Sequence, residues 1–148
     1  MINNNHKFLS QFRGGYSSGF TLTELLIVVI IVGILATLAL PMLVKTMEKA
    51  KLGEAASNLN LIRTGEKIYF LENAYFSGGG TGIDALNIED PNTVTSRYFD
   101  YTITSAAGAT SDFTSRAQRR SSAPSPYSTY YYEISKSGTI TSNGPLQP

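Results

Sequence analysis

The stretch from Leu25 to Leu40 carries no charge, and Thr37 is its only polar side chain. Extended back to Phe20, the segment is 21 residues long. At about 1.5 Å rise per residue, a helix of that length spans roughly 30 Å, the thickness of a bilayer's hydrocarbon core. One acid, Glu24, stands at its leading edge. A carboxylate there is costly in lipid and needs a partner or a function. Within the run, Gly33 costs about 1 kcal/mol of helix propensity and Pro41, at the exit, about 3. Pro41 also removes an amide donor and disfavours helical geometry at Leu40. Residues 33–41 therefore read either as a plain kink or as a soft segment able to unwind in part.

Downstream, the pattern changes twice. Leu52, Ala55, Ala56, Leu59, Ile62 and Tyr69 recur at three- and four-residue spacing, which predicts an amphipathic helix over 42–77. Lys45, Lys49, Lys51, Glu54, Arg63, Glu66 and Lys67 fill much of its polar remainder, with Glu66 near the stripe. Gly78-Gly79-Gly80 is expected to stop it. After a loop, YFDYTIT from Tyr98 to Thr104 alternates with period two. Residues 112–118 and 128–135 repeat that alternation, and Ser137-Gly138 turns into a short last strand. The expected fold class is α+β: a long N-terminal helix, membrane-spanning in its first half, packed on a small C-terminal antiparallel sheet.

Composition removes whole classes of chemistry. The 148 residues suffice for one modest domain and contain no Cys. Disulfides, thiolate metal sites and thiol nucleophiles are excluded together. The one His is His6, so imidazole chemistry in the body of the chain is excluded as well. The glycine run is not followed by Gly-Lys-Ser/Thr, which argues against a phosphate loop. No Ser–Lys or paired-carboxylate arrangement stands out, and an enzyme is not expected. No cofactor is expected either. Asp84, Glu89, Asp90 and Asp100 could collect Ca²⁺ through oxygens, though solvated loop acids are the plainer reading. Arg116, Arg119 and Arg120, with Tyr127 and Tyr130 to Tyr132, mix cations and rings as single-stranded nucleic acid would require. Solvated loop arginines and half-buried strand tyrosines explain them more simply, and no nucleic-acid partner is expected.

The order Gly19, Phe20, Thr21, Leu22, Thr23, Glu24 and then the apolar run resembles the N-terminus of type IV pilins and type II secretion pseudopilins. The resemblance is close over 19–41 and in pattern only beyond. It implies four parts: a leader over 1–19, a transmembrane and filament-core helix over 20–41, an amphipathic half over 42–77, and a globular loop and sheet over 78–148. It implies cleavage between Gly19 and Phe20 by a prepilin peptidase, with N-methylation of the new Phe20 amine. It implies that Glu24 neutralises the N-terminal amine of a neighbouring subunit. Physics fits: a helix N-terminus carries about half a positive charge, a free amine adds a full one, and burying both in an apolar core requires a carboxylate. Such a pair sets register between subunits more than it adds stability. The resemblance supports the soft reading of Gly33 and Pro41. The missing disulfide departs from many pilins.

The implied function is a structural subunit of a type IV pilus-like filament. The subunit would cross the inner membrane once before assembly and then enter an extracellular pilus. Implied partners are copies of itself, minor pilins, the prepilin peptidase, and an inner-membrane platform with its ATPase. The alternative within the family is a pseudopilin of a type II secretion system, in a periplasmic pseudopilus. Residues 1–18 are polar and weakly basic through Lys7 and Arg13, as a cytoplasmic leader requires. Without them the chain holds 10 basic and 11 acidic residues, no signal for an acidic partner. Outside the family, two readings remain. One is a secretory signal with core Leu25–Leu38 and a cut after Ala39; the other is an uncleaved anchor. Either would carry a binding domain.

Overall fold

The computed structural model describes residues 19–79 and 82–146. Residues 1–18 of the expected leader, 1–19, lie outside the described residues. The chain forms two compact units, divided between Leu40 and Pro41.

Helix α1 spans Leu22–Asn73. Among the described residues it is the one helix long and apolar enough to cross a membrane. In the first unit every described residue from Gly19 to Leu40 is exposed. No atom lies within 4 Å of where a Cβ on Gly33 would sit. Thr37 turns its hydroxyl back onto the Ile34 carbonyl at 2.7 Å, so no polar group of this segment's side chains faces outward between Leu25 and Leu40 without a bond.

In the second unit, Glu48, Leu52, Ala55, Leu59, Ile62 and Glu66 are buried. Their spacing of four, three, four, three and four places them on one stripe. The stripe packs on a four-stranded antiparallel meander of β1 (Phe99–Ile103), β2 (Thr114–Arg119), β3 (Tyr131–Ser135) and β4 (Ile140–Ser142), in that spatial order. Alternation decides which face is buried: Phe99, Tyr101 and Ile103 on β1, Ser115 and Ala117 on β2, Tyr132 and Ile134 on β3. Register follows, with Tyr101 opposite Ala117 and Ala117 opposite Tyr132. The small Ala117 between two tyrosines leaves room for the helix. Phe76, Phe113, Ile83, Leu86 and Leu146 close the ends of the core.

The helix ends at Asn73, four residues before the expected 77. Ala74 takes the left-handed conformation, φ 63°, and its N–H bonds the Phe70 carbonyl at 2.8 Å. That is a helix-terminating geometry usually given to Gly. Gly78 serves another purpose: its missing Cβ admits the backbone of Ala106 and Ala107. Residues 76–79 thereby pair with the loop after β1, Phe76 N–H to Ala109 at 2.7 Å and Gly79 N–H to Ser105 at 3.1 Å.

The outer edge of β1 is closed by one side chain. Asn92 accepts from Tyr101 N–H at 2.9 Å and donates to the Tyr101 carbonyl at 2.9 Å. Its amide stands in for a strand neighbour and blunts an edge that would otherwise invite pairing.

Candidate functional site

In the first unit, the head of α1 is a capping box. Thr21 is the N-cap, and its hydroxyl accepts from Glu24 N–H at 3.2 Å. Glu24 Oε2 in turn accepts from Thr21 N–H and from the Thr21 hydroxyl, both at 2.8 Å. The pattern Thr-x-x-Glu in TLTE is the local sequence signature of this cap. It gives Glu24 a role inside one chain, since the carboxylate satisfies a first-turn donor and complements the helix dipole. Both bonds fall on Oε2; among the described residues Oε1 accepts none. Glu24 thus keeps an oxygen directed away from the cap, at the head of an apolar rod with no partner for its surface.

In the second unit, each end of the buried helical stripe carries a carboxylate. At one end Glu48 meets Arg119, the last residue of β2, in a two-point pair: Nε to Oε2 at 2.9 Å and Nη2 to Oε1 at 3.2 Å. Both side chains are 4% exposed. Lys51 Nζ adds a contact to Glu48 at 2.8 Å, and Arg119 Nη1 donates to the Tyr98 carbonyl at 2.6 Å. The Arg119 hydrogen bonds hold the Glu48 carboxyl below the ordinary range, against the opposing effect of burial. Sequence reading placed Arg119 among solvated loop arginines; the structure corrects this, because β2 extends one residue past the expected strand and turns Arg119 inward. Arg116 is also committed, to Glu133 at 2.8 Å and to the Tyr131 ring.

At the other end Glu66 is fully buried, and among the described residues no cation pairs with it. Its oxygens accept from Ser77 N–H at 2.9 Å and the Ser77 hydroxyl at 2.7 Å, tying α1 to the segment that follows it. Burial pushes the Glu66 carboxyl up, and the Ser77 bonds oppose this only in part. An acid with a raised folded pKa binds its proton more tightly in the folded state. Its contribution to stability is fully present at low pH and is lost as pH rises through the folded value. Glu66→Gln can keep both contacts, because a hydroxyl accepts as well as donates. We expect the variant to match wild type near about pH 4 and to be the more stable of the two at about pH 8. Urea unfolding followed by circular dichroism at both pH values checks this.

The four acids considered for Ca²⁺ do not converge. Asp100 pairs with Arg97 at 2.9 Å, and Asp90 accepts from Asn92 N–H at 2.8 Å. Among the described residues no group of three or more His, Asp or Glu is placed to hold a metal.

Comparison with known proteins bears on the N-terminal segment. Residues 15–40 match the family model for the prokaryotic N-terminal methylation motif. The chain is 46% identical over 59 residues to the type IV major pilin protein PilA of Myxococcus xanthus, covering 40% of this chain and 27% of that protein. It is 39% identical over 69 residues to the type II secretion system core protein G of Aeromonas hydrophila, 47% of this chain and 48% of that one. The Escherichia coli core protein G is 34% identical over 73 residues, 49% and 50%. The chain thus spans a quarter to a half of the length of these curated relatives. A crystal structure of the Neisseria meningitidis non-core minor pilin PilV aligns with a TM-score of 0.47 at 18% identity, over 70% of this chain and 93% of that one. Residues 15–40 thus carry the prokaryotic N-terminal methylation motif, and up to about half of the chain is similar to type IV pilin and type II secretion core protein G sequences.

Proposed function

We propose that this chain is a structural subunit of a type IV pilus-like filament, not an enzyme. One observation carries the reading: an apolar helix from Leu25 to Leu40 exposes its whole circumference and bears a single carboxylate at its head. Such a surface is stable in lipid or against other such helices. Each fully buried Leu, Ile or Val contributes about 1.5–3 kcal/mol in either setting. Transfer from membrane to filament therefore exchanges one apolar environment for another, and assembly needs little net work per apolar side chain.

In this reading a prepilin peptidase cuts between Gly19 and Phe20 and methylates the Phe20 amine. The precursor crosses the inner membrane once. A membrane platform and its ATPase then feed it into a helical bundle with copies of itself and minor pilins. Glu24 fixes register: Oε2 keeps the local cap while Oε1 takes a neighbour's Phe20 amine. Gly33 and Pro41 make 33–41 soft. Gly33 has open space around it, so no side chain among the described residues requires a glycine there. An alanine would strengthen an isolated helix by about 1 kcal/mol, which favours a demand from outside the chain.

A pseudopilin in a type II secretion system is the second reading. It is supported by the core protein G relatives, which the chain covers to about half their length, against 27% for the pilin. Filaments shed by shearing identify the pilus; a secretion defect without shed filaments identifies the pseudopilus.

Glu24→Ala is expected to lower polymer yield at least tenfold while leaving cleavage intact, as judged by mass spectrometry of the membrane fraction. Unchanged yield removes the register role. A mature N-terminus at Leu40, or a chain still carrying residues 1–18 where other prepilins are processed, returns the binding-domain alternative.

A further inference from the structure

We infer that an open groove on the second unit seats the Met42–Lys45–Lys49 stripe of a second copy of this chain. The inference rests on the filament reading and names a contact within it. The groove, of about 410 Å³, lies between α1 and the segment leading into β1, and Glu54, Leu61, Glu89, Asp90, Val94 and Tyr98 line it. Leu61, Val94 and Tyr98 are exposed apolar side chains gathered on one floor. Three carboxylates rim that floor; Glu54 accepts from Tyr98 N–H at 3.0 Å and Asp90 from Asn92 N–H at 2.8 Å, which leaves Glu89 the most open of the three. Arg97, also in the lining, is already paired with Asp100, and Lys51, over the Tyr98 ring, is paired with Glu48. Glu89 is exposed and meets no cation among the described residues.

The complement is on the same chain. Met42, Lys45 and Lys49 are exposed and spaced three and four residues apart, so they form one stripe. Among the described residues, neither lysine lies within ion-pair distance of a carboxylate, although the next acid, Glu48, is paired twice. An apolar tip followed by two cations matches an apolar floor rimmed by acids.

Geometry decides what the contact builds. Stripe and groove are centred about 12 residues apart on α1, or roughly 18 Å. Across a two-fold axis the patches would meet twice with the helices antiparallel; copies that leave one membrane lie parallel, so each gives its stripe to one neighbour and its groove to another. The contact is head-to-tail and adds copies without closing. It is small beside the roughly 1,200 Å² of a stable standalone interface, so it sets register within a larger assembly and would not hold a dimer alone. With parallel copies, Lys49 is the cation that meets Glu89.

The test uses cells expressing the full chain, and the absence of Cys gives a clean background. In sheared or membrane-bound polymer, the Lys49→Cys/Glu89→Cys variant should give an oxidation-dependent ladder of dimers and higher species. Either single Cys variant should stay monomeric or stop at dimer. Glu89→Lys or Lys49→Glu alone should cut polymer yield about tenfold, and the two together should restore it to within twofold. Polymer that forms normally with no ladder from the Cys pair overturns the groove contact and leaves the filament reading standing, as do wild-type yields from both single charge reversals. A wild-type chain that forms no polymer at all removes the filament reading, and the contact with it.

Discussion

Arg119→Met should lower the unfolding free energy by about 3–5 kcal/mol, because it leaves the Glu48 carboxylate buried without its two-point partner. The Tyr98 carbonyl also loses its 2.6 Å donor. Lys51 stays on Glu48 and softens the loss. Chemical denaturation of the purified full chain in detergent, read by tyrosine fluorescence or near-ultraviolet circular dichroism, measures it. The double variant Glu48→Met/Arg119→Met should recover most of the loss, since two apolar side chains of similar length remove the desolvation cost along with the pair. The pH response separates this explanation from simple loss of packing. In wild type the Glu48 carboxyl is held low, so its contribution is fully present above the ordinary carboxylate range and is lost as pH falls through the folded value. In Arg119→Met the sign reverses: acidification neutralises the stranded carboxylate, and the gap to wild type narrows. A gap that does not change with pH would make Arg119 a packing residue only.

Gly78→Ala should cost about 3 kcal/mol, at the upper end for overpacking, because the added methyl overlaps backbone atoms and no side chain can swing aside. The Ala106–Ala107 backbone would have to retreat, and the bonds from Phe76 and Gly79 to that loop would lengthen or break. The same substitution at Gly108, where no atom of the described residues lies within 4 Å, meets only its positive-φ backbone, φ 76°, and should cost about 1–2 kcal/mol. Thermal unfolding of the two variants side by side tests the ranking. Equal losses would show that the close approach at Gly78 relaxes cheaply. Because the 76–79 segment also carries Ser77, Gly78→Ala should disturb the Glu66 contact and flatten the pH dependence assigned to that carboxyl.

Much of this protein was written in local pattern. An uncharged run from Leu25 to Leu40 is a helix seeking an apolar environment, because no charge and a single hydroxyl, Thr37, interrupt it. The strands were legible because period-two alternation reports which face is buried: Phe99, Tyr101 and Ile103 point inward as their spacing required. The meander followed from short connections between consecutive strands. Fold class and family motif were therefore matters of sequence. The cap at Thr21 is written there too, in the spacing of three between Thr21 and Glu24.

Tertiary structure decided what local pattern has no way to encode. Glu48 and Glu66 both fall on the apolar stripe by spacing, and nothing nearby in sequence says what either carboxyl meets there. Their surroundings come from Arg119, 71 positions on, and from Ser77, 11 positions on, so one carboxyl is held low and the other pushed up. Arg119 itself looked like one of three loop cations until the extent of β2 turned it inward. Gly78 looked like a helix stop until a distant backbone was found against it. Charge, burial and close approach depend on atoms brought together by the fold, and only the folded chain sets them.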